Sequence, residues 1–111
     1  MRPEAAALLW DIDSATERVG AFISGLSLSE YIEDALVRSA VERQLEIAGE
    51  ALKRLRDLDP EMAAGIPDSS RIIGMRNILA HGYAVVDDGV VWTAATRHAP
   101  RLRAEVARLL G

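Results

Sequence analysis

The chain has 111 residues, which is a typical length for one domain, and we expect residues 1–111 to form a single domain. Half of the residues are hydrophobic but only 5% are aromatic, so the core should be aliphatic. The absence of cysteine excludes disulfides and thiolate chemistry, and it favours a cytoplasmic location. No segment approaches the roughly 18 consecutive apolar residues of a membrane span, and no signal peptide is visible.

Charge is unevenly distributed along the chain, although the net value is −4. Residues 1–67 carry 13 acidic and 7 basic side chains, whereas residues 68–111 carry 4 acidic side chains and 6 arginines. A polyanion should therefore meet the second part of the chain. Solvated helix faces would also account for most of these arginines.

Two helical regions are predicted before Pro60. Apolar residues recur at helical spacing from Pro3 to Leu26, and Ser27 and Glu30 then have the spacing of a capping box. Helical spacing continues after this box to Leu58, with a break expected near Arg38. The apolar seam of this long helix is typical of antiparallel bundle packing, and it comprises Val41, Leu45, Ala48, Leu52 and Leu55.

Glycine inside this seam has a specific structural meaning. Gly49 lowers helix propensity, but it permits another helix backbone to approach closely. After a linker, Pro67 and the polar residues 68–70 indicate a new helix start. Gly82 should end that helix, so His81 falls in or just past its last turn.

A final helix is predicted beyond a loop. Residues 90–92 are β-branched and aromatic and would suit a strand, but helical spacing runs from Val91 to Leu109. We therefore interpret these residues as the start of a helix that Pro100 kinks or restarts. The predicted fold class is all-α, an antiparallel bundle of four to five helices.

The octapeptide RNILAHGY, residues 76–83, combines groups that suit phosphodiester chemistry. The imidazole of His81 can move a proton near neutral pH, and the guanidinium of Arg76 can stabilise charge on phosphoryl oxygens. Five helical positions separate these residues, which rotates their side chains apart by about 140°. Either the helix unwinds near His81 or the two groups meet across a cleft, which two subunits could share.

Other interpretations of the same residues are open. His81 could be a helix C-cap, Arg76 and Asn77 could be solvated surface residues, and Tyr83 could pack its ring on the bundle. His98 is distant in sequence, and no carboxylate stands at ligand spacing from either histidine, so no metal site and no cofactor are expected.

The octapeptide resembles the Arg-x4-His-x-Tyr signature of HepT-like toxins, which belong to the HEPN superfamily of ribonucleases. Residues 11–35, 40–52 and 66–92 are also similar to blocks of this family, so the resemblance covers nearly the whole chain. Two residues depart from the usual pattern. Asp68 stands where many relatives carry Trp, and Tyr31 stands where relatives often carry Phe.

The resemblance implies a helical homodimer that cleaves RNA without a metal, with both motifs facing one cleft. It assigns catalysis to Arg76 and His81, and support of the site to Asn77. It further implies a type VII toxin–antitoxin pair, in which an MntA-like minimal nucleotidyltransferase antitoxin neutralises the toxin by transferring AMP to Tyr83. A non-catalytic helical dimer that binds such a nucleotidyltransferase, or a nucleotide, is the alternative. A purely structural bundle with His81 as a cap is a third hypothesis.

Overall fold

The computed structural model describes residues 1–81 and 85–111, and the regular elements within these ranges are all helical. The last three elements run on as one continuous helix, so the described part of the chain has four long helices and two short ones. The prediction of an all-α protein is confirmed. In chain order the elements are α1 (Pro3–Ile23), α2 (Leu28–Glu33), α3 (Ala35–Leu58), α4 (Pro60–Ala64), α5 (Ser69–His81), α6 (Asp88–Thr93), a π-helical turn (Ala94–His98) and α7 (Ala99–Leu110).

Helix α3 is the centre of the packing. It lies against both α1 and α5, and α1 also packs against α7. The predicted apolar seam of α3 is buried along its whole length, so this helix contributes core side chains along most of its length. Within residues 1–81 and 85–111, no helix has an apolar stretch long enough to cross a membrane.

Polar side chains define where α2 and α3 begin. The predicted capping box is confirmed, because Ser27 accepts a hydrogen bond from the Glu30 N–H at 3.1 Å and Glu30 accepts one from the Ser27 N–H at 3.0 Å. The expected break near Arg38 lies instead at Asp34. The Asp34 carboxylate accepts a hydrogen bond from the Val37 N–H at 3.0 Å, and this cap satisfies a donor that the helix start leaves unpaired.

The final helix is continuous but irregular. The segment containing residues 90–92 is helical, as predicted, and the disturbance expected at Pro100 takes the form of the π-helical turn just before it. There the Ala99 N–H donates to the Ala94 carbonyl, five residues back. In a regular α-helix the ring of Pro100 would crowd the Thr96 carbonyl, and the wider turn relieves that contact.

Tyr31 lies in the core with an unusual environment for its hydroxyl group. The side chain is fully buried, and its ring packs on Trp92 with the ring centroids 5.2 Å apart. Within the described residues the buried hydroxyl has no hydrogen-bond partner. Burial, and to a lesser extent the nearby carboxylates of Glu42 and Asp88, raise the pKa of Tyr31 to about 12.

We expect Tyr31→Phe to raise the free energy of unfolding by roughly 0.5–1 kcal/mol, because it removes a buried and unpaired polar group. The pKa of Tyr31 is about 10 in the unfolded chain and about 12 in the folded protein. As the pH rises from 10 towards 12, the unfolded chain loses the phenol proton more readily than the folded protein, so the wild type loses stability. The advantage of the variant should therefore grow above pH 10. Urea denaturation at pH 7 and pH 10.5 measures both effects, and a less stable variant at pH 7 would contradict the assignment.

Candidate active site

Helix α5 carries the three described residues of the motif. The helix is regular from Ser69 to His81, so His81 is its last residue, as the sequence predicts. Arg76 is largely buried, with 20% of its side chain exposed, whereas Asn77 and His81 lie at the surface. Tyr83, the predicted modification site, falls outside the described residues.

The regular geometry of α5 fixes the positions of Arg76 and His81 relative to each other. Because the helix does not unwind before His81, Arg76 and His81 are separated by about 7.5 Å along the axis and about 140° around it. The two side chains therefore leave α5 on different faces.

The guanidinium of Arg76 is held by two neighbours. Its Nη2 atom lies 2.6 Å from Glu50 Oε2 on α3, and its Nη1 atom donates to Asn77 Oδ1 at 3.0 Å. The contact with Glu50 is an ion pair without well-aligned hydrogen-bond geometry, and Arg76 Nε is buried without a hydrogen-bond partner among the described residues. Arg76 is thus oriented by α3 on one side and by its own helix on the other.

Gly49 explains how α3 and α5 come close enough for this contact. A Cβ atom built on Gly49 would lie 2.3 Å from the Cβ of Arg76 and 2.8 Å from the carbonyl oxygen of Ile72. Both distances are below any normal contact, so only glycine fits here with the helices as they are. The predicted close approach at Gly49 is confirmed, and at this point α3 contacts the Cβ and Cγ atoms of Arg76.

A polar groove opens beside Arg76, between α1, α3 and α5. Its volume is about 390 Å³, and its charged lining balances three carboxylates with three guanidinium groups. These residues are Asp11, Glu46, Glu50, Arg43, Arg54 and Arg76. The groove is therefore locally polar without a net charge, and an anion that enters it must be attracted by individual arginines.

A second ionic cluster fixes the other end of α5. Asp68 precedes the helix with a φ of 62°, a left-handed conformation that is uncommon for a residue other than glycine. Its carboxylate lies 3.3 Å from His98 Nδ1, 3.2 Å from an Arg101 guanidinium nitrogen and 3.9 Å from Arg71 Nε. The contact with Arg101 ties the start of α5 to the final helix, and His98 Nδ1 lies beside the same carboxylate without a hydrogen-bond partner among the described residues.

Sequence reasoning did not identify Glu50 or the Asp68–His98 pair. The available signal for Glu50 was its position directly after Gly49, where a close approach was already expected. The sequence shows that Asp68 stands where many relatives carry Trp, but it does not show which residues Asp68 contacts. Among the residues that the structure describes, no group of three or more His, Cys, Asp or Glu side chains could hold a metal ion.

Comparison with known proteins identifies the family. The family model described as "Ribonuclease HepT-like" matches residues 12–109, and the chain belongs to this family. A ribonuclease family implies RNA as the substrate class. The resemblance read from the octapeptide and its flanking blocks is thereby confirmed.

Individual relatives cover almost the whole chain. The chain is 31% identical to "Putative RNase MJ1380" of Methanocaldococcus jannaschii over 93% of its own length and 94% of the relative's length. It is also 31% identical to "Probable ribonuclease HepT" of Thermococcus cleftensis, over 91% of each chain. No solved structure shows significant similarity to the chain.

Proposed function

We propose that the protein is the toxin of a type VII HEPN/MNT toxin–antitoxin pair, a ribonuclease that uses Arg76 and His81 without a metal ion. Asn77 supports the site, and residues 1–111 act as one HepT-like domain. The observation that carries the proposal is the fixed position of the Arg76 guanidinium, which can bind an anion, on the helix that ends at His81. This guanidinium is held in place by α3 while His81 stands exposed at the end of its own helix.

The chemistry assigned to these residues is an internal transesterification. His81 accepts the proton of a ribose 2′-hydroxyl, and the 2′-oxygen forms a bond to the adjacent phosphorus. The bond from phosphorus to the 5′-oxygen breaks, and that oxygen takes up a proton from an imidazolium group or from water. Arg76 stabilises the negative charge that develops on the phosphoryl oxygens.

A homodimer would bring the separated side chains into one cleft. The faces of α5 that carry Arg76 and His81 point about 140° apart, so His81 of one subunit can complement Arg76 of another. We expect light scattering at micromolar concentration to show a dimer or a larger even assembly of the 12.1 kDa chain. A purely monomeric protein under these conditions would contradict this part of the proposal.

The direct test of the proposed function is an RNA cleavage assay with the purified full chain. We expect cleavage of a single-stranded RNA in the presence of EDTA, with products that end in a 2′,3′-cyclic or 3′-phosphate. A matched oligonucleotide with 2′-deoxyribose at the cleaved position is the control, and it should remain intact. Strict dependence on an added divalent ion, or cleavage of the deoxy control, would overturn the mechanism.

Tyr83 is the proposed site at which an MntA-like nucleotidyltransferase attaches AMP. A phenol stays protonated at neutral pH, which suits an acceptor of AMP better than a catalytic base. A phosphodiester-linked AMP adds a negative charge and a nucleoside close to His81 in sequence, and it would repel an incoming RNA phosphate.

We therefore expect Tyr83→Phe to retain ribonuclease activity but to resist neutralisation by the nucleotidyltransferase and ATP. Intact-mass spectrometry should show AMP additions on the wild type and none on the variant. The test is sharp because the chain has two tyrosines and the other, Tyr31, is fully buried. AMP on the variant, or silencing of the variant without AMP, would contradict this role of Tyr83.

A second candidate function has one observation in its favour. Arg76 is already paired with Glu50, as expected if Arg76 only joins α5 to α3 in a non-catalytic dimer that binds a nucleotidyltransferase or a nucleotide. Growth arrest on expression of the chain alone separates the two functions. We expect arrest with the wild type and none with His81→Ala, whereas the non-catalytic dimer would arrest growth in neither case.

A further inference from the structure

Glu50 joins two arginines at the edge of the polar groove. Its Oε2 atom lies 2.6 Å from Arg76 Nη2, and its Oε1 atom accepts a hydrogen bond from Arg54 Nε at 3.3 Å. Arg54 is one turn further along α3 and is 70% exposed, whereas Arg76 is largely buried. One carboxylate therefore holds a surface guanidinium and the motif guanidinium on its two oxygens.

We propose that Glu50 is the positioning residue of the active site, which fixes the guanidinium of Arg76 in its working orientation before RNA binds. This inference rests on the proposed ribonuclease function and assigns a role to a residue outside the motif. Glu50 acts through Arg76 and need not touch the substrate. Its place is set by Gly49, the neighbouring residue, which lets α3 approach the stem of Arg76.

The donor count of Arg76 is consistent with this role. A guanidinium has five N–H donors. Glu50 and Asn77 each approach one terminal nitrogen, and the Nε donor is buried. One further donor on each terminal nitrogen is left for a phosphate, which is the number that a bidentate contact requires.

The local charge also favours positioning over simple neutralisation. A carboxylate against Arg76 alone would cancel its charge, and this would weaken phosphate binding. Because Glu50 also pairs with Arg54, the group of two guanidiniums and one carboxylate keeps a net charge of +1. Arg76 is thus oriented while this group of three keeps a positive charge, within a groove whose charged lining sums to zero.

The test compares steady-state RNA cleavage by the full-length wild type, Glu50→Ala and Glu50→Gln. We expect Glu50→Ala to lower kcat by about 10-fold to 100-fold, since misplacement of a reacting group by about 1 Å can reduce a rate by up to roughly 10²-fold. The KM for RNA should not rise, because a negative charge is removed. Glu50→Gln should recover only part of kcat, because its amide oxygen can lie against Arg76 but lacks the charge that attracts the guanidinium.

Glu46→Ala is the matched control. Glu46 lies one turn before Glu50 on α3, lines the same groove and has a similar side-chain exposure of 31%, against 37% for Glu50. Its ionic partner is Arg43, at 3.7 Å, so its removal changes the groove charge equally without releasing Arg76. We expect this control to keep a kcat close to the wild-type value, with any change in KM shared by both alanine variants.

The outcomes separate this inference from the proposed function. Equal kcat values for Glu50→Ala and Glu46→Ala, with an active wild type and an inactive Arg76→Ala, would overturn the role of Glu50 alone. A wild type that does not cleave RNA would overturn the proposed function and this inference with it. If Glu50→Ala loses helical circular dichroism, the isosteric Glu50→Gln variant decides, and an unchanged kcat in that folded variant would also overturn the role.

Discussion

Arg76→Ala and His81→Ala are each expected to lower RNA cleavage by about 10²–10⁴-fold, the usual loss when a proton-transfer or charge-stabilising group is removed. His81 is the exposed last residue of α5, so its removal takes little from the core. Arg76 lies deeper, but its ionic partner Glu50 is 37% exposed and can be solvated. Both variants should therefore remain folded, as judged by circular dichroism.

Arg71→Ala is the matched control for the loss of a cation from α5. Arg71 belongs to the same helix, its side chain is 71% exposed, and its partner Asp68 keeps contacts with His98 and Arg101. We expect this variant to cleave RNA at close to the wild-type rate. Full activity in Arg76→Ala or His81→Ala, or an equal loss in Arg71→Ala, would mean that the assigned mechanism is wrong.

Gly49→Ala is expected to lower both stability and activity, although alanine is the better helix former. Overpacking of a tight contact costs typically about 1–3 kcal/mol, against a gain of up to about 1 kcal/mol from helix propensity. The added Cβ would meet the Ile72 carbonyl oxygen and the Arg76 Cβ, so α3 and α5 must separate. The separation moves Arg76 away from Glu50, and we expect kcat to fall together with the melting temperature.

Gly20→Ala provides the comparison, because Gly20 lies inside α1 and a Cβ built there meets no atom within 4 Å. This substitution should raise the free energy of unfolding by about 0.5–1 kcal/mol. Thermal unfolding distinguishes the pair by the sign of the change, since 1 kcal/mol shifts the melting temperature by roughly 4 °C in a domain of this size. A stabilised and fully active Gly49→Ala variant would contradict the proposed role of the contact.

Much of the fold could be predicted from the sequence because its helices are defined locally. The seam of α3 is buried as its spacing indicates, and the capping box of Ser27 and Glu30 forms. The predicted break near Arg38 is four residues too late. Apolar spacing indicates that the helix is interrupted, but the cap at Asp34 determines where the interruption lies. Phe22, an apolar residue near the end of α1, is 38% exposed, whereas Val19 and Ile23 on the same helix pack in or against the core.

The candidate site could be predicted only in part. The motif assigns Arg76 and His81 to one helix end, and the structure places both on α5. The partner of Arg76 could not be identified from spacing, because Glu50 is 26 residues away and contacts it only where two helices cross. The same holds for Asp68 and His98, which are 30 residues apart, one just before α5 and the other at the end of the π-helical turn. Contacts of this kind depend on packing, which a single sequence does not record.

The π-helical turn at Ala94–His98 determines which side of the final helix faces the core. The buried positions advance from Val91 to Ala95 and then to Ala99 in two steps of four, and in a regular α-helix these steps would drift by about 80° around the axis. The wider turn takes up the part of this drift that falls between Ala95 and Ala99, and the buried side continues at Leu102 and Val106. Removal of one residue here would rotate α7 by about 100°. This segment should therefore accept substitutions at its exposed positions far more readily than any change in its length.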